Sequence, residues 1–150
     1  MDDWKNSRSI RLSQAGVLLF ALLLAALDVG CFWILRWYIN LRGMHWQSGF
    51  GMMAVIYLAS VFGWVFLWKM WRLLGNLRAG IVFEEENAAL LGAVRSCCAC
   101  AAAVFLLGCV FYLPFLFVAA ALGFMALIVQ IVRSIFRKAA QMQAELDLTI

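Results

Sequence analysis

Charge is scarce in this chain. Only 13 % of its 150 residues are charged, while 67 % are hydrophobic. An ordinary soluble domain carries about a quarter charged residues. A chain this short has too much surface to hide its apolar side chains from water, so the solvent for most of it is lipid. Histidine is almost missing: His45 stands alone. A closed zinc site needs four ligands, usually Cys and His, and this sequence does not assemble them. Proline occurs once, at Pro114. There is no long polar linker, repeat or low-complexity tract, and residues 1–150 read as a single membrane domain. No nucleophile–base pair, phosphate loop or pair of catalytic carboxylates is present, so the chain is read as not an enzyme.

What is there is long apolar segments. A bilayer core of about 30 Å takes about 20 apolar residues per helix. Residues 15–35 and 50–68 each meet that length. The stretch from Ser96 to Val132, with Gln130 as its polar break, is too long for one span and suits two. Proline has no N–H and is tolerated in the first turn of a helix, so Pro114 marks a hairpin between spans at 94–113 and 115–136. The first span has Asp28, Trp33, Arg36 and Trp37 where a signal peptide would be cleaved, and reads as a retained anchor. Residues 69–93 form a loop punctuated by Gly75 and Gly80, with a helix expected from Glu84 into the third span, and residues 137–150 form a tail in which "AAQMQAELDL" continues the fourth helix with good helix formers. The expected fold is therefore all-α, an integral membrane bundle of four transmembrane helices.

Lysines and arginines set the orientation. Lys5, Arg8, Arg11, Lys69, Arg72, Arg78, Arg95, Arg133, Arg137 and Lys138 fall on one side, and Arg36 and Arg42 on the other. The positive-inside rule places both termini in the cytoplasm. Trp33, Trp37 and Trp46 suit the opposite interface, and Trp4, Trp64, Trp68 and Trp71 the inner one. The formal charge of +4 thus follows from topology, and no direct contact with nucleic acid is expected.

Three groups of residues stand out. Asp28 is a carboxylate deep in an apolar span, which costs several kcal/mol unless it is neutralised or partnered. Counted from the same membrane face, Tyr57 and Ser60 lie at a depth that permits a hydrogen bond to it. The second group is "SCCAC": Cys97 and Cys100 have C-x-x-C spacing, which suits soft metals or disulfide chemistry. They sit among alanines, however, and small residues line helix contacts in lipid, so packing is the preferred reading and no cofactor or metal is expected. Ala59-x-x-x-Gly63 and Ala119-x-x-x-Gly123 are further small-residue pairs. The third group is the polar tail "ELDLTI", in which Leu146, Leu148 and Ile150 alternate with Asp147 and Thr149, a period suited to an added strand.

The middle loop runs Leu77, Gly80, Phe83, Glu86, Asn87, Leu90, and the chain closes on Glu145, Asp147, Leu148, Thr149 and Ile150. Both stretches resemble a family of small bacterial four-helix membrane proteins, the domain-of-unknown-function family 2975. The resemblance covers residues 73–150. It implies a fold and a place in the bacterial inner membrane. It further implies a neighbouring small helix-turn-helix repressor as cytoplasmic partner, since such regulators are often encoded beside family members. Residues 77–91 and 145–150, with Gly80, Phe83, Glu86 and Asn87, are then the docking surface, and the tail docks on a partner or back on Phe83 and Asn87. Two alternatives remain open: a homo-oligomeric transporter or channel that uses Asp28, and an immunity or stress protein against membrane-active peptides.

Overall fold

The structure is a computed structural model that describes residues 3–80 and 85–149, with side chains from Arg8 onward. Lipid offers the backbone no hydrogen bonds, so a spanning segment must satisfy its own, and a helix does so. Four helices result: α1 (Asp3–Arg42), α2 (Trp46–Arg78), α3 (Glu85–Gly108) and α4 (Phe115–Thr149). Each is long and apolar enough to cross a membrane, and there is no strand among the described residues. At 1.5 Å per residue α1 extends about 60 Å and α4 about 52 Å, so both outrun a bilayer core of about 30 Å.

The connections at one end are short. Gly43, at φ +61°, ends α1, and the Met44 N–H returns to the Ile39 carbonyl. The His45 carbonyl then accepts from Ser48 and Gly49 to open α2. Between α3 and α4 the Gly108 carbonyl accepts from both Phe111 and Tyr112, and Pro114 directly precedes α4. This is the hairpin end. The other, the tail end, holds the start of α1, the α2–α3 connection and the end of α4.

Each helix packs on its neighbour in sequence: α1 on α2, α2 on α3, α3 on α4. Among the described residues α1 and α4 do not meet. The four helices therefore form an open row, and an apolar cleft of about 360 Å³ is lined by all of them, including Leu24, Ala59, Cys98 and Leu122. At the hairpin end Cys31, Leu35, Met52, Val55 and Phe115 form one core, with Tyr38 and Tyr112 against it. The rings of Phe105 and Tyr112 each meet Phe115 edge-on at 5.3 Å. At the tail end Leu73, Leu90 and Leu91 pack with Val129, Val132 and Phe136.

Several boundaries differ from the sequence expectation. Gly75 does not punctuate a loop: α2 runs through it to Arg78, and most of residues 69–93 is helical. Nothing approaches Gly75 within 4 Å, so its lack of a side chain goes unused. The third helix stops at Gly108 rather than Leu113. A Cβ on Gly108 would stand 2.8 Å from Val55 and 3.0 Å from Phe115, so only glycine lets α2 and the start of α4 close on this point. The tail is the expected helical extension, and the alternative of a strand over its last six residues does not hold for those described. Its residues are helical to Thr149, whose hydroxyl bonds back to the Glu145 carbonyl at 2.9 Å. Of the small-residue pairs, Ala59–Gly63 packs on α1 through Leu24, while Gly123 has no neighbour within 4 Å.

Candidate functional site

Two polar constellations break the apolar body. The first is centred on Asp28 in α1. Ser60 Oγ donates to Asp28 Oδ1 at 2.6 Å, and Trp64 Nε1 donates to Oδ2 at 2.9 Å. The Tyr57 hydroxyl donates to the backbone carbonyl of Asp28 at 3.0 Å rather than to its carboxylate. Tyr57, Ser60 and Trp64 follow one another at helical spacing, so one face of α2 presents all three donors. Each carboxylate oxygen thus has a donor, and the pairing ties α1 to α2. Depth alone brought Tyr57 and Ser60 to Asp28. Trp64 was missed, because an indole near a membrane end reads as an interfacial anchor. The signal that finds it is the second carboxylate oxygen, which needs a second donor.

The second constellation lies at the tail end. Asn76 Nδ2 donates to Asn87 Oδ1 at 3.0 Å. Asn87 is 0 % exposed, so it joins α2 to α3 from inside the core. This corrects the expectation that Asn87 belongs to a docking surface. Outside it Arg72 and Glu86 pair at 2.9 Å with both side chains about half exposed. Glu86 remains accessible and Gly80, at φ +81°, is exposed. Phe83, Glu84 and Ile150 lie outside the described residues.

Arginines tie α3 to α4. Arg133 Nε donates to the Ala88 carbonyl at 3.2 Å. Its guanidinium lies against Gly92, where a Cβ would be 3.0 Å from Cζ. One turn deeper Arg95 Nη1 donates to Gln130 Oε1 at 2.6 Å. Arg95 had been read only for its part in topology, and Gln130 only as a polar break in a hydrophobic run. Together they place a charge and its partner inside the helix row. A groove of about 590 Å³ runs beside them, with Arg133 and Arg137 on α4 facing Glu85 on α3.

The tail itself does not fold back. Residues 141–149 are all exposed, with Leu146 at 64 % and Leu148 at 87 %. Glu145, Asp147, Leu148 and Thr149 therefore stand free of the four-helix body, while Phe83 and Ile150, the other members of the expected tail contact, lie outside the described residues. All five cysteines are free thiols. Cys97 and Cys98 are buried and Cys100 is exposed, so the C-x-x-C pair is divided between the protein interior and the lipid-facing side. No group of three or more metal-capable side chains exists among the described residues.

Comparison with curated proteins found no match, and neither did comparison with solved structures. A family model described as "Protein of unknown function (DUF2975)" matches residues 10–150. It spans all four helices, reaching well beyond residues 73–150 on which the resemblance rested, and the chain belongs to that family.

Proposed function

We infer that the protein is a non-enzymatic, multi-pass component of the bacterial cytoplasmic membrane. Both ends face the cytoplasm, and its tail end docks a cytoplasmic partner. The observation that carries this reading is the bare helical tail. Past Lys138, α4 continues to Thr149 with Met142 60 % exposed and Leu146 64 % exposed. These two lie at i and i+4, on one stripe of the helix, and Glu145 and Asp147 stand beside them. An amphipathic helix that lays an apolar stripe into a groove is a recurrent mode of recognition. The acidic residues add complementarity to a basic partner. A small helix-turn-helix repressor, with the basic surface that DNA binding needs, fits that chemistry and is the partner implied by the family resemblance. Glu86 and Gly80, exposed at the same end, extend the surface, and docking there holds the repressor away from DNA.

The test compares the full chain with a form ending at Ala144, each purified from native membranes by an N-terminal tag. The reading expects a small helix-turn-helix protein with the full chain and its loss from the shortened form. If both forms bring down only copies of themselves, the docking reading fails.

A further inference from the structure

We propose that the groove between α3 and α4 at the tail end is a binding site for the headgroup of an anionic phospholipid, of the phosphatidylglycerol class. Position is the first argument. Arg133 lies about 27 Å along α4 from Phe115, and Arg137 about 33 Å. The apolar core of a bilayer is about 30 Å thick, so the groove straddles the level of the lipid phosphates. Charge is the second. Arg133 and Arg137 line it, and Arg95 lies one turn deeper on the same helix pair. Basic pockets between helices at this level hold anionic headgroups, and a guanidinium matches phosphate through paired N–H donors.

Shape is the third argument. Apart from Gln141 and Glu85, the remaining walls are small: Ala88, Ala89, Ala140 and Ala144. They leave open about 590 Å³ that larger side chains would have filled. Arg133 is anchored before any ligand arrives. One of its five N–H donors is spent on the Ala88 carbonyl, and Gly92 lets the guanidinium lie flat against α3. Ordering cost is thereby reduced, as preorganisation requires. Glu85, on the opposite wall, is the acceptor for a headgroup hydroxyl. The lipid's phosphate then sits on the arginines and its glycerol end on Glu85. This site does not depend on a protein partner for the tail.

The experiment is native mass spectrometry of the full chain in neutral detergent. It is titrated with phosphatidylglycerol, phosphatidylcholine, phosphatidylethanolamine and soluble glycerol phosphate. Phosphatidylglycerol should bind about tenfold or more tightly than either zwitterionic lipid, and Arg133→Gln with Arg137→Gln should abolish that preference. Arg36→Gln with Arg42→Gln, at the hairpin end, should preserve it. Equal binding of the three lipids overturns the proposal, as does a preference that survives the Arg133/Arg137 pair or is lost with the Arg36/Arg42 pair. Glycerol phosphate that displaces the lipid at equal concentration points to a free phosphate ligand and also overturns it. Should the double variant fail to fold, Arg137→Gln alone changes an exposed side chain. It should weaken phosphatidylglycerol by about fivefold, and unchanged binding contradicts the site.

Discussion

The hairpin end and the tail end of this helix row are held together by different chemistry. At the hairpin end α1, α2, α3 and the start of α4 converge on one aromatic and aliphatic core, with Phe115 touched by Phe105 and Tyr112. At the tail end Leu73, Leu90 and Leu91 are supplemented by polar ties: Asn76 to Asn87, Arg72 to Glu86, and Arg133 to the Ala88 carbonyl. Among the described residues, none of α1 belongs to that second core. Lower down, the first helix meets α2 through Asp28 and its donors and through Leu24 on Gly63. In lipid, apolar contact competes with lipid tails of equal polarity, so close packing and hydrogen bonds decide association. A shape-filled end is rigid. An end built on polar ties offers exposed donors, acceptors and charges, which is where headgroups and proteins are met.

The contrast is open to direct attack, and the largest effect is expected at the packed end. Phe115→Ala removes the ring on which Phe105 and Tyr112 converge. It should cost about 3 kcal/mol and lower the thermal midpoint in detergent, with Cys31 in the same core becoming reactive to maleimide. Asn87→Leu removes the acceptor of the Asn76 amide inside the core, at about 2 kcal/mol. Its signature is local: amide exchange should rise in residues 70–78 and 85–92 while Cys31 stays protected. Asp28→Leu strands the Ser60 and Trp64 donors and should cost about 1 kcal/mol. Asp28→Asn, which keeps an acceptor, should cost less, and the red shift of Trp64 fluorescence should grade the two. Arg72→Gln breaks a half-exposed pair and should change the midpoint by less than about 1 kcal/mol. If Arg72→Gln proved costlier than Phe115→Ala, the two ends would not differ in the way described.

Much of the fold was legible in the sequence because hydropathy and chain length state the same thing four times. The hydrogen bond of Ser60 to Asp28 was legible from depth, since two antiparallel helices of known length leave little freedom in register. The misread boundaries share a cause. In lipid a turn such as Cys109–Leu113 is as apolar as the helix before it, so composition does not mark where α3 stops, and a glycine such as Gly75 does not halt a helix held by its neighbours. Trp64, Arg95 and Gln130 were each assigned a role from their place along the chain. Their hydrogen bonds depend on rotation about the helix axis. Asn87 was placed on the docking surface because it belongs to the family motif of the middle loop, and its burial depends on Asn76 on the facing helix. The tail's helix was legible from its good helix formers, and the alternation of apolar and polar residues ran over too few positions to outweigh the helix already running into it.

The central claim is that the exposed end of α4 is covered by a cytoplasmic DNA-binding protein. A photo-crosslinking residue placed at Leu148, and as a control at Val110 of the hairpin end, tests it in living cells. The account predicts that Leu148 captures a soluble helix-turn-helix protein, identified by mass, and that Val110 captures none. Capture at Leu148 of only lipid or other copies of this chain would contradict it.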